Sequence, residues 1–435
     1  MKYLFLETLG CAMNERDSEH IVAELNEIEP YSLCQSVEEA DLIIINTCSV
    51  REKPVQKLFS ELGVFNKKKK QDAKIGVCGC TASHLGEEIF KRAPYVSFVL
   101  GARQVSKIKD VVHKERSIEV GIDYDDTLYT FAKGKNEGIR SLINISIGCD
   151  KSCSYCIVPQ TRGAEISIPS DLILDEVKRS VDSGISEIFL LGQNVNSYGV
   201  RFSKESPCKS FVELLREVSK VSGVKRIRFT SPHPLHMDDE FIEEFAYNPK
   251  ICKSIHIPLQ SGSTKVLRDM RRGYTKEWFL AKAMKIREMV PEVTIGTDVI
   301  VAYPSESYDD FLESIDVVEQ VGFEHMYSFV FSPRPLTPAQ NLKSDIPIDE
   351  AKKRLEILQT KQKELAIKKA KSRVGSIYEV LIEARNQNGF LEGRSDNYHL
   401  VKTQGDDSLI GRPMDVKITK AEGASLYGEV LSRNS

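Results

Sequence analysis

Between Leu142 and Phe331 the chain alternates strand-like and helix-like stretches in a steady rhythm. Strand patterns at 142–147, 187–191, 225–229, 253–257, 293–301 and 325–331 are separated by helical patterns at 170–183, 210–221, 238–246, 276–289 and 308–320. Such alternation builds a parallel sheet with its helices outside. Six strands in this order predict an incomplete barrel whose working face lies at the strand C-terminal ends.

On that face stands Ile147-Gly148-Cys149-Asp150-Lys151-Ser152-Cys153-Ser154-Tyr155-Cys156, the loop after the first strand. Three thiolates at C-x3-C-x2-C can hold three irons of a 4Fe–4S cluster and leave the fourth open for chemistry. A zinc knuckle or three buried thiols is the plainer alternative. Zinc prefers paired C-x2-C units with four ligands, and no fourth Cys or His lies close by. Polar motifs follow the later strands: Gly192–Tyr198, Thr230–Pro234, Pro258–Ser263, Ala302–Glu306 and Ser332–Arg334. Their amides and hydroxyls suit a polar ligand held by hydrogen bonds, although such residues also make ordinary turns.

Upstream, Lys2–Leu6, Asp41–Ile45 and Lys74–Val77 read as three further strands, with helices near Asp17–Ile28, Val55–Asn66 and Leu85–Arg92. Cys11, Cys48 and Cys80 each follow one of these strands, where open α/β sheets gather their ligands. They make a second three-thiolate set. Cys34, Cys78, Cys208 and Cys252 read as small apolar residues, although Cys78-Gly79-Cys80 offers either thiolate.

At 435 residues, 41% hydrophobic and 28% charged, the chain suits two or three soluble domains. No apolar run approaches membrane-spanning length, and Met1–Gly10 reads as a strand and not a signal peptide, so a cytoplasmic location is expected. Ten cysteines clustered at loops then argue for metal or redox chemistry over disulfides. The net charge of −3 excludes a global attraction to nucleic acid, so any polyanion site is a local patch. Lys67–Lys70 reads as a solvated loop. A helix at 349–371, capped by Asp349, carries nine Lys/Arg against two Glu between Ala351 and Arg373, which suits a solvated face and a phosphate contact equally. Gly134–Gly138 reads as a linker, and Val374–Ser435 as a small β-barrel of short strands.

The cysteine triplet resembles the signature of the radical S-adenosylmethionine superfamily. Thr8–Asn14, Asn46–Arg51 and Gly79-Cys80 resemble the N-terminal domain of its methylthiotransferases. Leu391–Tyr398 and Leu409–Arg412 resemble the TRAM domain, an RNA-binding module. The chain departs from the pattern at Ser83, Pro54, Ile168, Ala302 and Ser305. The resemblance implies an α/β chain of three domains: an N-terminal Rossmann-like parallel sheet (1–118), a partial (βα)6 radical core (135–371) and a TRAM β-barrel (372–435).

It also implies two 4Fe–4S clusters, one on Cys149, Cys153 and Cys156 and an auxiliary one on Cys11, Cys48 and Cys80. S-adenosyl-L-methionine would be bound by Glu165, Ser167, Gln193, Asn194 and Asn196, with Glu165 accepting from its ammonium. Tyr398, Phe390, Arg394 and Arg412 would meet bases or phosphates. Gln193–Tyr198, Phe229–Pro234, Thr337–Ala339 and Asn14 resemble the tRNA-modifying branch. The implied reaction puts a methylthio group on carbon 2 of N6-dimethylallyladenosine, position 37 of tRNA. One S-adenosylmethionine would give the methyl group, and a second the radical that removes hydrogen before sulfur enters. Rival substrates are N6-threonylcarbamoyladenosine of tRNA and an aspartate of a ribosomal protein. A rival class is a non-catalytic iron–sulfur RNA-binding protein. Implied partners are the tRNA anticodon stem-loop and a flavodoxin- or ferredoxin-type electron donor, with no membrane and a monomeric chain; the sulfur donor is not implied.

Overall fold

The computed structural model describes residues 2–49, 52–122, 138–202 and 204–431. Of the expected linker, 134–137 lie outside the described residues, as do Val50 and Arg51.

The N-terminal sheet has six parallel strands, in the order Tyr31–Leu33, Lys2–Leu9, Leu42–Thr47, Lys74–Gly79, Phe98–Gly101, Ser117–Glu119. Leu42–Thr47 is buried throughout, as its unbroken apolar run requires. The first, fifth and sixth of these were not expected. Each has only three or four residues, too few to show a period. Lys2–Leu9 pairs with Tyr31–Leu33 on one side and Leu42–Thr47 on the other, so the strand order reverses there. A crevice opens beyond the C-terminal ends at such a reversal. Cys11 and Cys48 end the two strands that flank it.

Two helix expectations are corrected here. The first helix starts at Ala12, five residues before Asp17, because Cys11 caps it and Asn14 returns a bond to the Cys11 backbone. The expected 85–92 helix is two pieces, Cys80–Leu85 and Glu88–Arg92, broken at Gly86 with φ +49°.

The central unit has the expected six strands in two parallel halves. Arg140–Asn144, Glu187–Leu191 and Arg226–Phe229 form one; Ser254–His256, Thr294–Val301 and His325–Val330 form the other. An Ile227–Ile251 bridge joins them. Ile143, Ile188, Ile227, Ile255 and Val299 pack inside the helical layer. The first strand breaks at Ile145, and Ser146–Ile147 pairs antiparallel with Ile166–Ser167. This folds the chain after the cysteine loop back beneath it.

The last unit is a closed five-stranded barrel of Ile377–Arg385, Leu391–Ser395, Leu400–Thr403, Ser425–Val430 and Pro413–Glu422. The helix Ile348–Ser372 joins it to the core: Leu358 is buried in the central cluster and Ala370 in the small barrel. Its cap is Pro347, not Asp349. Asp349 and Glu350 lie in the first turn, where carboxylates favour the helix dipole. Among the described residues no helix is long and apolar enough to cross a membrane.

Candidate active site

A cavity of about 1260 Å³ opens where the three units meet. Cys11, Cys48 and Cys80 border it from the N-terminal sheet, and Cys149, Cys153 and Cys156 from the core. Both triads therefore face one space.

Polar side chains set the N-terminal triad. The Asn14 amide donates to Asn46 Oδ1 at 3.2 Å, and the Asn46 amide donates to the Asn14 carbonyl and to Ser18 Oγ. Ser18 and Thr8 share a 2.7 Å bond. The turns carrying Cys11 and Cys48 are thus tied together. Cys48 hydrogen-bonds both other thiols. Those bonds, helped by the nearby Arg162 charge, pull the Cys11 and Cys80 thiols down. Cys48 itself is pushed up by the same two thiols and by burial. Gly79 decides which thiol of Cys-Gly-Cys faces the cavity. Its φ of +93° turns the chain, and a Cβ there would meet Asn46 Oδ1 at 2.3 Å. Cys80 points out to the cavity, while Cys78 is buried among Leu4, Ile44 and Phe98.

In the core, Gly148 with φ +81° turns the chain into Cys149, whose N–H donates to the Gly163 carbonyl. Burial pushes the Cys149 thiol up to about 11 and Cys156 up to about 12. Each triad also meets one buried arginine. Arg162 Nε donates to Cys80 Sγ at 3.2 Å, and Arg272 donates to Cys153 Sγ at 3.2 Å. Arg162 also pairs with Asp17 at 2.6 Å; burial raises the Asp17 carboxyl and Arg162 draws it back. Further ties run between the units: Arg16 pairs with Glu176, and Arg103 donates to the Arg162 and Ala164 carbonyls.

The five residues expected at the adenosyl cofactor fall in two groups. Gln193 borders the cavity; its Oε1 accepts from Gly148 N at 2.5 Å, and its buried Nε2 has no partner among the described residues. The other four sit behind that wall. Glu165 is buried, accepts from Ser197 Oγ, and neighbours Asn194; burial raises its carboxyl. Ser167 Oγ accepts from Gly199 N. Asn196 uses both ends of its amide on the His233 backbone.

The strand-end motifs also divide. Thr230–His233, Pro258 and Gln260 border the cavity. Ser263 binds Asp310, and Glu306 binds Arg354, so these two serve packing. At the edge of the small barrel, Tyr398 borders the cavity with the Arg228 and Arg394 guanidinium groups 5.0 and 4.8 Å from its ring centre. Phe390 instead packs edge-on against Tyr427, and Arg412 is exposed. Sequence reasoning missed Arg162, Arg272, Arg228 and the His256–Asp298 pair (3.0 Å) on the cavity wall. Arg162 stands three residues before Glu165, one of the residues expected at the cofactor. The other three offered no local signal.

Known proteins match along the whole length. Residues 3–101 match an uncharacterised protein family, UPF0004; residues 143–318 match the radical SAM superfamily and 371–431 the TRAM domain. The tRNA-2-methylthio-N(6)-dimethylallyladenosine synthase of a Nitratiruptor species is 61% identical over 430 residues, 99% of each chain. That of Sulfurimonas denitrificans is 60% identical over 431 residues, again 99% of each. The chain belongs to this synthase family. A radical S-adenosylmethionine methyltransferase, TsrM, from Kitasatospora setae shares the fold, with a TM-score of 0.56 at 11% identity over 89% of this chain and 79% of that one.

The residues suit the iron–sulfur groups that such a synthase needs. A guanidinium buried beside a neutral thiol is costly, and beside an anionic thiolate it is stabilised. Both triads provide that pairing. Gln193 Nε2 and His233 Nε2, on two residues of the cavity wall, have no partner among the described residues and are spare polar atoms for an adenosyl ligand.

Proposed function

We propose that this chain adds a methylthio group to carbon 2 of N6-dimethylallyladenosine beside the anticodon of tRNA. One observation carries the reading: both cysteine triads and Tyr398 of the RNA module border a single cavity. Cys149, Cys153 and Cys156 would hold the cluster that works with S-adenosyl-L-methionine, and Cys11, Cys48 and Cys80 the auxiliary cluster. When bound, these groups supply one-electron cleavage of a sulfonium, and the sulfur and methyl that are transferred. Carbon 2 of the base carries an aromatic C–H with no acidic proton, so general-base chemistry would not serve.

The protein's part is placement. Gln193 lines the cavity, fixes the Gly148 turn through Oε1 and leaves a buried Nε2 with no partner among the described residues. His233, held down to about 2 by burial, stays neutral and offers Nε2 as a hydrogen-bonding atom. Glu165 does not border the cavity but lies near Cys149, and we assign its carboxylate to the cofactor's ammonium group. Tyr398 and its two guanidinium neighbours give an unstacked base a ring and two cations. A base inside a loop must leave its stack to enter such a space. We further assign a flavodoxin- or ferredoxin-type donor as reductant, a monomeric chain and a cytoplasmic setting.

The test is mass spectrometry of tRNA nucleosides from cells lacking the chain. The 2-methylthio nucleoside should vanish, its unthiolated precursor should accumulate, and the intact gene should restore it. Unchanged nucleoside, with methylthio mass lost from threonylcarbamoyladenosine or a ribosomal protein, would overturn the assignment.

A further inference from the structure

Each triad meets one guanidinium, but the two guanidinium groups are not electrically alike. Arg272 donates Nε to Tyr274 Oη at 3.0 Å, Nη2 to the Pro258 carbonyl at 3.2 Å and Nη1 to Cys153 Sγ at 3.2 Å. A phenol, a carbonyl and a sulfur hold it. Arg162 donates Nε to Cys80 Sγ at 3.2 Å and Nη2 to the Asp17 carboxylate at 2.6 Å. Arg272, Arg162 and Asp17 are 5%, 2% and 1% exposed, so solvent screens none of them.

We propose that Arg272 and the Arg162–Asp17 pair make the two cysteine sites unequal in reduction potential, so that the site on Cys149, Cys153 and Cys156 is the easier to reduce. This rests on the ligand assignment above. Reduction adds one negative charge to a thiolate-bound cluster, and a fixed positive charge or an N–H donor at a ligand sulfur favours the reduced form. The interior is a poor screen, so one neighbouring charge counts heavily. Arginine keeps its proton at any working pH, which makes the bias permanent. At Cys153 the full charge of Arg272 acts. At Cys80 the Asp17 carboxylate offsets Arg162, and mainly the hydrogen bond is left.

The consequence is a direction for the electron. One electron comes from a low-potential one-electron carrier protein. It settles at the core site, where cleavage chemistry uses it, and no other bond changes in that step. The auxiliary site stays oxidised and available for sulfur. Arg162 and Arg272 act through the sulfurs they touch, so they are tuning residues and not catalytic ones.

The test is an anaerobic redox titration, followed by electron paramagnetic resonance, of the full chain carrying both clusters. Iron and sulfide are counted first. Wild type should show two midpoints, the core site's the higher. R272M should lower the core site's reduced-to-oxidised ratio about tenfold at fixed potential, which for one electron is about 59 mV. R272K keeps the charge and should recover most of that loss. D17N should raise the ratio at the auxiliary site about tenfold and leave the core site unmoved. Two clusters with midpoints indifferent to R272M and D17N overturn the proposal. Should R272M cost iron, D17N decides alone: an unmoved auxiliary midpoint sinks the idea. A wild-type chain that holds only one cluster refutes the ligand assignment instead.

Discussion

Cys78 and Cys80 are two residues apart and have opposite surroundings. Cys78 ends a strand inside the sheet's core, where burial raises its thiol. Cys80 begins a helix on the cavity wall beside Arg162. The left-handed turn at Gly79 separates them. Replacing Cys80 by Ala should cut iron from about eight to about four atoms per chain, since two thiolates hold a cluster poorly. Replacing Cys78 by Ala should keep all of it, and iron and sulfide analysis reads both. A Cys78 variant that loses half its iron would reverse the assignment. The core triplet was legible in sequence because its cysteines share one loop. Arg162–Cys80 and Arg272–Cys153 were not, because those contacts join residues 82 and 119 positions apart.

At the scale of elements, the helix Ile348–Ser372 shows what a charge pattern hides. Its extent was legible to within a residue at each end, because its polar and apolar periods persist over six turns. The use of its charges was not. Arg354 pairs with Glu306, Lys361 with Glu319, and Lys369 and Arg373 with Glu324. Lys352, Lys353, Lys363, Lys368 and Lys371 are exposed. The basic count therefore mixes tethers with a solvated face. The Arg354–Glu306 pair is the deepest of the tethers, and Glu306 also accepts from Ala302 N at 2.6 Å. Removing one partner of such a pair strands a buried charge. Arg354→Met should lower unfolding free energy by about 3–5 kcal/mol, read from urea denaturation of the core. Lys353→Met on the same helix should stay within about 0.5 kcal/mol of wild type.

For the whole molecule, three domains in order were legible from alternating periods and short strands. Their docking was not, because it rests on ion pairs between residues far apart in sequence and on arginines aimed at backbone carbonyls. Arg228 donates to the Ser395 and Asp396 carbonyls at 2.8 and 3.1 Å, and Arg226 to those of Glu379 and Arg394 at 2.9 and 3.2 Å. Glu187, buried behind both, holds the Arg228 guanidinium at 3.2 Å. These bonds fix the RNA module over the barrel mouth. Arg228→Gln should loosen it: limited proteolysis near Val374 and Gly375 should speed up about tenfold, with iron content unchanged. Cleavage at the wild-type rate would show that the remaining contacts suffice.

The sheet that carries Cys11, Cys48 and Cys80 also sets an order of assembly. Those three thiols come from three separate strand ends and converge only when the strands have paired in register. Cys149, Cys153 and Cys156 lie within one loop and are neighbours even in an unfolded chain. A full-length chain refolding from the unfolded state can therefore offer iron the core loop early, and the other three thiols as a set only after its first domain has closed. Where metal binding drives the folding of a small zinc module, the auxiliary site proposed on Cys11, Cys48 and Cys80 is a product of folding.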